Sequence, residues 1–263
     1  MTEPFVVGVT SQKGGVGKTT VSVNLATALK LLGYRVLLID ADTSNPSVGF
    51  HLGLSESNLG YRDVLIKHTP IKSASAIHGP TGLSVIPGTI HGKAYMPTEV
   101  QMKQLARQLK KSGYNFIIFD TPPGFSLEEA DKYWDEAIIV TTPEMPSFAS
   151  CIRLSNLYDK QHLKHNIIVN RYKNRRYELS ISEMSDTYGN RPLRVLPEDD
   201  KVPESVAAHI PSVILSRRSP FSREILSLAR SYKTRAGVEA TESMHEQGVG
   251  FWAAFRRLFG IGR

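Results

Sequence analysis

The sequence predicts a three-layer α/β domain, with a mostly parallel, twisted sheet and helices on both faces. Short apolar runs of strand length alternate along the chain with longer helical patterns. Several of these runs are apolar throughout, which is typical of parallel strands that are buried on both faces. The first run leads through a glycine-rich turn directly into a helix. A chain of 263 residues is long enough to bury the core of one such domain.

The amino-acid composition indicates the cellular compartment and the charge of the partners, but it does not identify the function. The single cysteine, Cys151, cannot form an intramolecular disulfide, so we expect a reducing cytoplasm. We expect no signal peptide at residues 1–4, and no apolar stretch reaches the roughly 18 residues of a spanning helix. The net charge of +7 favours anionic partners, such as phosphates, lipid head groups or nucleic acid, without choosing among them.

The first strand-to-helix junction carries a phosphate-binding signature. In such a loop the glycines let backbone N–H groups converge on an anion, and the helix N-terminus adds partial positive charge. The lysine contacts the β- and γ-phosphates, and the hydroxyl that follows it binds Mg²⁺. An ordinary glycine turn is the alternative, but it does not explain a lysine followed by threonine. The predicted phosphate-binding residues are Gly14, Gly15, Val16, Gly17, Lys18, Thr19 and Thr20.

Two positions distinguish this loop from the standard pattern. Gln12 stands where the strict pattern has glycine, and Lys13 places a second lysine inside the loop. The string Lys-Gly-Gly-Val-Gly-Lys-Thr at 13–19 resembles the deviant Walker A motif of the ParA/MinD family of ATPases. The resemblance implies a P-loop NTPase fold, ATP and Mg²⁺ as ligands, and an ATP-dependent homodimer. It also implies that Lys13 reaches the partner subunit's nucleotide.

The second predicted strand, at 34–39, ends in a pair of aspartates, Asp40 and Asp42. Ligands of such sheets bind beyond the carboxyl ends of the strands, so both carboxylates should face the nucleotide. By resemblance this region is switch I, in which Asp40 supports the Mg²⁺ shell through water and Asp42 orients the attacking water. An acidic cap before a short helix at 48–54 is the alternative.

A strand followed by a stiff loop provides the second catalytic signal. The apolar residues 116–119 end at Asp120, which resembles a Walker B aspartate next to Mg²⁺. The following Thr-Pro-Pro-Gly resembles switch II of the family, with the N–H of Gly124 placed to sense the γ-phosphate. An ordinary strand-to-turn junction is the alternative.

The remaining elements are predicted without chemistry of their own. Helices are predicted over 59–67, 97–111, 128–134, 201–209 and 220–233, with a further one ending near 161, and strands over 83–87, 136–142, 165–171 and 192–196. In the helix that Pro97 opens, Val100 is expected on the face shared with Leu105 and Leu109. The stretch 70–82 is expected to be irregular, and His78 and His91 are expected to be solvated, with no metal-ligand spacing around them.

Three further parts of the site follow from the resemblance. Glu144 matches a glutamate that contacts the partner subunit's nucleotide, although a solvated loop carboxylate is the alternative. Asn170 matches the family's adenine-reading asparagine, whose amide pairs with both a donor and an acceptor, and Arg171 lies beside it. The Leu-Pro-Glu-Asp segment resembles the loop that packs against the adenine. Its predicted binding residues are Pro197, Glu198 and Asp199.

The C-terminal segment differs in composition from the predicted ATPase domain at 1–235. Residues 236–248 are polar and acidic, as in a flexible linker. At about 100° per residue, five apolar residues of 249–263 fall within an arc of about 120° and two arginines lie outside it. These are Phe251, Trp252, Phe255, Leu258 and Phe259, with Arg256 and Arg257. The pattern predicts an amphipathic membrane-targeting helix, with a terminal helix docked on the protein's own core as the alternative.

Three classes of function fit these observations. The first is a MinD-like ATPase that cycles on and off the cytoplasmic face of an anionic membrane to position machinery such as the division site, with an unidentified activator or cargo protein. The second is a ParA-like partitioning ATPase whose ATP dimer binds DNA through basic residues, namely Arg171, Lys173, Arg175, Arg176, Arg217 and Arg218. The third is a scaffold or iron–sulfur carrier, for which Cys151 alone supplies too few thiolates. Gln12 and the Asp-Thr-Pro-Pro run resemble ParA proteins, whereas the C-terminal helix favours the first class.

Overall fold

An eight-stranded sheet forms the centre of the computed structural model, which describes residues 3–54, 59–89, 95–124, 133–189, 191 and 193–235. The strands are β1 (Phe5–Thr10), β2 (Val36–Asp40), β3 (Ala76–His78), β4 (Leu83–Ile86), β5 (Phe116–Asp120), β6 (Glu136–Thr141), β7 (His165–Tyr172) and β8 (Arg194–Pro197). Their order across the sheet is β3-β4-β2-β5-β1-β6-β7-β8. All neighbouring pairs are parallel except β3 with β4.

Helices cover both faces of this sheet. In the described residues they are α1 (Lys18–Leu31), α2 (Val48–Leu52), α3 (Tyr61–Ile66), α4 (Ile71–Ala74), α5 (Glu99–Lys110), α6 (Met145–Lys160), α7 (Ile181–Thr187), α8 (Lys201–Ala207), α9 (Ser212–Leu215) and α10 (Pro220–Arg235). Alternate strand residues point to opposite faces. Leu38 therefore belongs to a core with α1, α2, α9 and α10, whereas Leu37 belongs to a second core with α3, α5, α6 and α7. These two cores confirm the predicted three-layer fold.

The register of the central strands brings two acidic strand ends together. Strand β5 lies between β1 and β2, and Asp40 is the register partner of Asp120. Parallel strands end at the same edge of a sheet, so the phosphate loop after β1 opens at the edge where both aspartates lie. Trp134 is buried in the core on one side of this region, with its ring centroid 6.5 Å from that of Phe119.

The prediction that residues 70–82 are irregular is wrong. They contain α4 and the edge strand β3, which pairs antiparallel with β4. His78, expected to be solvated, is only 2% exposed. Its Nδ1 lies 2.8 Å from Thr81 Oγ1 and its Nε2 lies 3.0 Å from the carbonyl oxygen of His209. The edge strand buries this ring because the chain turns back sharply after it.

Helix α5 begins at Glu99 rather than at Pro97, because Thr98 forms its N-cap. The Thr98 Oγ1 accepts a hydrogen bond from the backbone N–H of Gln101, and Gln101 Oε1 accepts one from the N–H of Thr98. The prediction that Val100 shares a face with Leu105 and Leu109 is wrong, because at about 100° per residue Val100 lies roughly 180° around the helix from Leu109. Val100 is 64% exposed, and the buried face consists of Met102, Leu105 and Leu109.

Helices α7 and α9 have no counterpart among the sequence predictions. The other predicted elements are present with ends shifted by at most three residues, apart from the helix at 128–134, most of which lies outside the described residues. His91, the linker at 236–248 and the predicted amphipathic helix at 249–263 also lie outside them. Within the described part of the chain, no helix combines the length and the apolar character required to cross a membrane.

Candidate functional site

The glycine-rich loop between β1 and α1 has the backbone conformation of a tight anion-binding turn. Gly15 and Gly17 have φ angles of 76° and 95°, in the left-handed region that glycine adopts readily. A Cβ atom at Gly17 would overlap Nδ2 of Asn170. That Nδ2 donates a 2.8 Å hydrogen bond to the carbonyl oxygen of Val16, so β7 holds the loop from the far side.

The loop forms one wall of a cavity of about 260 Å³ at the carboxyl edge of the sheet. The residues around this cavity come from the loop, from the segments after β2 and β5, and from the end of β7. They are Gly14, Gly15, Gly17, Lys18, Thr19, Thr20, Asp42, Asn45, Ser47, His51, Thr121, Pro123 and Arg171. The structure therefore brings eight of the predicted site residues to one cavity. We refer to it as the loop cavity.

Lys18 places a cation at the base of the loop cavity. Its side chain is buried, and its Nζ donates a 3.0 Å hydrogen bond to Ser11 Oγ. Burial lowers the pKa of Lys18, and the nearby charges of Asp120 and Asp42 act in the opposite direction. An anion in the cavity would further favour the charged ammonium, because an opposite charge nearby stabilises the ionised form.

Two buried carboxylates lie behind the loop cavity. Asp40 is 0% exposed and Asp120 is 1% exposed. Burial and the charge of Asp120 together raise the pKa of Asp40 to about 8, although hydrogen bonds from the backbone of Val48, Asp42 and Ser47 lower it. Burial also raises the pKa of Asp120 to about 6, against hydrogen bonds from Thr19 and Ser22 that lower it. A divalent cation at this place would relieve the mutual repulsion of the two carboxylates.

Hydroxyl groups complete a set of hard oxygen ligands around Asp120. Thr19 Oγ1 lies 2.6 Å from Asp120 Oδ2 and donates a hydrogen bond to it. Ser22 Oγ donates to Asp120 Oδ1 at 2.8 Å. In the described ranges, no three His, Cys, Asp or Glu side chains converge as an all-protein metal cage. Such a donor set suits Mg²⁺, which typically binds one or two carboxylates together with substrate phosphates and water.

The aspartates at the end of β2 also shape the loop that follows them. Asp40 Oδ2 accepts hydrogen bonds from the N–H groups of Ser47 and Val48, both at 2.9 Å, and so caps α2. Asp42 Oδ1 accepts hydrogen bonds from the N–H and the hydroxyl of Ser44, at 3.0 and 2.6 Å. The acidic-cap alternative and the metal-site prediction thus refer to the same carboxylate, Asp40.

Lys13, Glu144 and Gly124 are among the predicted residues that do not line the loop cavity in this single subunit. Lys13 is exposed, and its carbonyl oxygen accepts a hydrogen bond from Ser11 Oγ. Glu144 is exposed at the N-cap of α6. The N–H of Gly124, predicted to sense the γ-phosphate, donates to the carbonyl oxygen of Ser11 at 2.9 Å. A nucleotide-sensing role for Gly124 therefore requires this hydrogen bond to open.

The predicted adenine-packing segment lies beside β7. The N–H of Glu198 donates to the carbonyl oxygen of Tyr172 at 3.1 Å, just after Pro197 ends β8. Glu198 also forms an ion pair with Lys173, with 3.5 Å between Oε1 and Nζ. Asp199 Oδ2 accepts a 3.1 Å hydrogen bond from the N–H of Phe221, at the start of α10. The side chains of Glu198 and Asp199 thus stabilise the fold, and so does part of their backbone, because the carbonyl oxygen of Asp199 accepts a hydrogen bond from the N–H of Val202 at 3.0 Å.

Several residues of the site were not predicted from the sequence. Ser22 could have been found, since it follows Thr19 by three residues and so shares its helix face. Thr121 and Pro123 lie in the predicted switch II segment but were not themselves assigned a contact. The others are placed by tertiary contacts, namely Ser11, Asn45, Ser47 and His51.

A parallel sheet whose central strand enters a phosphate loop, with acidic residues ending the next two strands, defines a P-loop nucleotide-binding protein. Residues 7–213 match the family described as the CobQ/CobB/MinD/ParA nucleotide binding domain. The chain belongs to this family of nucleotide-binding domains.

Within the family, the chain is similar in sequence to septum site-determining proteins. The septum site-determining protein MinD of Synechocystis sp. is 34% identical over 207 residues, which are 75% of this chain and 77% of that protein. The protein of the same name from Thermotoga maritima is 29% identical, over 86% of each chain. A relative from Oltmannsiellopsis viridis is 32% identical, over 76% of this chain and 66% of its own length.

The chain is also similar to solved structures of cell division proteins. The septum site-determining protein MinD of Pyrococcus horikoshii, complexed with Mg-ADP, has a TM-score of 0.80 and 28% identity. That similarity covers 91% of this chain and 100% of the other. The MinC:MinD cell division protein complex of Aquifex aeolicus has a TM-score of 0.75 and 29% identity, over 91% of this chain and 98% of that one.

Proposed function

We propose that this protein is a Mg²⁺-dependent ATPase that closes into a homodimer over two nucleotides and cycles on and off a membrane. Its role is to position cellular machinery, as in placement of the division site. The observation that carries the proposal is the loop cavity, in which Lys18, Thr19 and Asp42 meet in front of Asp40 and Asp120. The MinD names of the relatives, and the Mg-ADP bound in one of the similar structures, support the same conclusion.

The residues of the cavity have separable roles in hydrolysis of ATP to ADP and phosphate. Backbone N–H groups at 14–20 and the ammonium of Lys18 hold the phosphates. Thr19 would bind Mg²⁺ directly, and Asp40 and Asp120 would accept hydrogen bonds from its water ligands. Bound Mg²⁺ supplies positive charge that offsets the charge of the β- and γ-phosphates. Asp42 accepts a hydrogen bond from the attacking water and orients it towards the γ-phosphate.

Lys13 and Glu144 act across the dimer in this proposal. Both are exposed and lie outside the wall of their own loop cavity, so a second copy of the chain can reach them. The buried Lys18 already supplies a cation to the cavity of its own subunit. Lys13 then adds a second cation where negative charge develops during phosphoryl transfer. Asn170, Arg171 and the 197–199 segment hold the adenosine end of the nucleotide.

Membrane attachment belongs to the segment after the ATPase domain. Residues 1–235 form that domain, 236–248 act as a flexible linker and 249–263 act as the membrane-targeting helix. The support for this division is compositional: an apolar stripe that includes Trp252 and Phe255, flanked by Arg256 and Arg257. Each arginine adds about 1 kcal/mol near anionic lipid. Joining two such anchors in one dimer strengthens attachment by about 10²–10⁴.

ATP therefore controls attachment through dimerisation, and hydrolysis releases the protein into the cytoplasm. A protein partner completes the cycle as activator or cargo. The MinC:MinD complex of Aquifex aeolicus supports the existence of such a partner, since that similar structure is a complex with a second protein.

The experiment compares attachment to anionic vesicles with ATP and with ADP. We expect the full chain to sediment with vesicles of phosphatidylglycerol and phosphatidylethanolamine in ATP, and to remain largely in the supernatant in ADP. Deletion of 249–263, or the pair Trp252→Glu and Phe255→Glu, should abolish sedimentation. Met244→Glu in the linker is the matched apolar-to-acidic control and should sediment normally.

Two results would overturn the proposal. One is sedimentation that is the same in ATP and ADP, or that survives the deletion. The other is ATP-dependent, salt-sensitive retention on DNA without retention on vesicles, which would favour partitioning. Of the six basic residues suggested for DNA, Arg171 lines the loop cavity and Lys173 forms an ion pair with Glu198.

A further inference from the structure

Ser11 lies at the junction of β1 and the phosphate loop and contacts three residues of the proposed ATPase site. Its side chain is buried, with 1% of the residue exposed. Its Oγ donates to the carbonyl oxygen of Lys13 at 2.6 Å and accepts from Lys18 Nζ at 3.0 Å. Its own carbonyl oxygen accepts from the N–H of Gly124 at 2.9 Å. Ser11 therefore connects the two lysines of the loop to each other and to the segment after β5.

The chemistry of the groups fixes the direction of both hydrogen bonds of the Ser11 hydroxyl. A lysine ammonium only donates, and a carbonyl oxygen only accepts. The single proton of the hydroxyl must therefore point to the carbonyl oxygen of Lys13, while a lone pair faces Lys18. A hydrogen bond from a charged donor is stronger than one between neutral groups, and it polarises the next bond of a chain. Lys18 thus orients and strengthens the bond that Ser11 makes to Lys13.

The bond from Ser11 holds the backbone at Lys13, where the loop provides little other support. Lys13 is exposed and belongs to no helix or strand. In the part of the chain that the structure describes, the bond from Ser11 is the only hydrogen bond that involves Lys13. Serine hydroxyls fix the local backbone in this way when they bond to a nearby peptide group. The hydroxyl therefore sets the point from which the Lys13 side chain leaves the loop.

We propose that Ser11 is a positioning residue that holds Lys13 in the geometry in which it reaches the partner subunit's nucleotide. Lys18, the cation that serves the nucleotide of its own subunit, thereby orients the cation that serves the nucleotide of the partner. A displacement of about 1 Å at a catalytic group can cost about 100-fold in rate, so the placement of Lys13 affects hydrolysis directly. This inference rests on the proposed role of Lys13 across the dimer.

The first experiment compares nucleotide binding within one subunit with dimerisation. Ser11→Ala removes the hydroxyl and leaves both lysines in place. We expect its affinity for a fluorescent ADP analogue to stay within about threefold of the wild type, since the phosphates give Lys18 a partner of their own. Dimerisation with a non-hydrolysable ATP analogue and Mg²⁺, measured by light scattering, should weaken by about 10–100-fold. One hydrogen bond, worth about threefold to tenfold, is lost in each of the two subunits.

Two further variants control for general effects of the substitution. Ser11→Thr keeps the hydroxyl and should dimerise like the wild type. Ser205→Ala is the matched control, because Ser205 is also buried and its Oγ donates to a backbone carbonyl oxygen, that of Val202, at 2.7 Å, outside the wall of the loop cavity. Thermal melting establishes that each variant is folded. If Ser11→Ala does not fold, Ser11→Cys takes its place, since a thiol is a weaker donor of similar shape.

Mixed dimers test which nucleotide depends on Ser11. In a dimer of one Ser11→Ala subunit and one Asp42→Asn subunit, only the Ser11→Ala subunit keeps Asp42 to orient the attacking water. The nucleotide of that subunit is served by the partner's Lys13, which an intact serine positions. We therefore expect phosphate release by the mixture to exceed the sum of the two variants assayed alone. If Ser11 acted on the nucleotide of its own subunit, mixing would restore no activity.

Failure of this inference can be distinguished from failure of the proposed function. Normal dimerisation by Ser11→Ala overturns the inference, and so does a loss of ADP affinity as large as the loss of dimerisation. The absence of any gain on mixing, although mixed dimers form, also overturns it. All of these outcomes leave the proposed function intact when the wild-type chain dimerises with the ATP analogue. A wild-type chain that binds no nucleotide, or that stays a monomer with the analogue, overturns the proposed function itself.

Discussion

Asp40 and Asp120 are register partners on adjacent parallel strands, and both carboxylates are buried at the strand ends. Burial and mutual repulsion raise the pKa of Asp40 to about 8, so the pair is costly in the absence of a cation. The buried carboxylate pair therefore lowers the stability of the metal-free protein and favours the binding of a metal ion.

Replacing Asp120 by asparagine tests this balance. We expect Asp120→Asn to melt at a temperature equal to or higher than the wild type, because one of two repelling carboxylates is removed. We expect Mg²⁺-dependent enhancement of nucleotide binding to fall by about 10–100-fold, as for other losses next to a metal. Calorimetric melting and titration with a fluorescent nucleotide measure both effects. Asp200→Asn, at an exposed position, is the control, and retained Mg²⁺ enhancement in Asp120→Asn would contradict the assignment.

Replacing Lys13 by alanine distinguishes nucleotide binding within one subunit from ATP hydrolysis that requires two subunits. Since Lys13 is exposed and outside the loop cavity wall, ADP affinity should stay within about twofold, well inside the effect of one charged hydrogen bond. Dimerisation with a non-hydrolysable ATP analogue and stimulated hydrolysis should both be lost. Light scattering after size exclusion and phosphate release measure these effects. The exposed Lys72→Ala is the control, and normal turnover by Lys13→Ala would exclude a role across the dimer.

Replacing Gly88 by alanine tests how tightly the segment around Ser47 is enclosed. A Cβ atom at Gly88 would overlap the Cβ of Pro46 and lie 3.2 Å from Asp40 Cγ. We expect a loss of about 1–3 kcal/mol in the free energy of unfolding by urea, as for other overpacked sites. Gly79→Ala has nothing within 4 Å and should be close to neutral. Equal stability of the two variants would show that the segment yields without cost.

The free energy of unfolding should depend on pH through His51. Burial, with a smaller contribution from His209, lowers the pKa of His51 to about 4 from its usual 6.5. Between these values the unfolded chain binds more protons than the folded chain, so this stabilisation is complete above about pH 6.5 and is lost as pH falls towards 4. The loss amounts to about 3 kcal/mol at most.

Urea unfolding between pH 4 and 7 measures this dependence on pH. His51→Gln should remove the contribution of His51, whereas His162→Asn, at an exposed position with a φ angle of 58°, should leave it. The raised pKa values of Asp40 and Asp120 contribute with the opposite sign in every variant, so the difference from the wild type isolates His51. An unchanged slope in His51→Gln would place the titration elsewhere.

The sequence was sufficient for those features that carry local signals. The phosphate loop could be predicted because Lys18 and Thr19 follow a glycine turn. The strands could be predicted because they are apolar runs that end at polar residues such as Asp40 and Asp120. The contact of Asn170 with Val16 joins residues 154 positions apart, and no local pattern encodes it. The roles of Ser47 and His51 were missed for the same reason.

Local sequence signals also explain why parts of the fold were predicted wrongly. The capping box at Thr98 places the start of α5 after Pro97, which is itself a reasonable first residue of a helix. Val100 is exposed because it lies roughly 180° around the helix from Leu109. His78 was expected in solvent because edge strands of three residues leave little periodicity to detect.

The two tryptophans of the chain occupy separate parts of the protein. Trp134 is enclosed in the core beside Phe119, one strand position before Asp120, whereas Trp252 belongs to the predicted amphipathic helix. A chain carrying Trp134→Phe would therefore emit from Trp252 alone, and its intrinsic fluorescence would report the surroundings of the C-terminal segment without an attached dye. The natural sequence thus already contains two optical probes, one inside the sheet domain and one in the C-terminal segment.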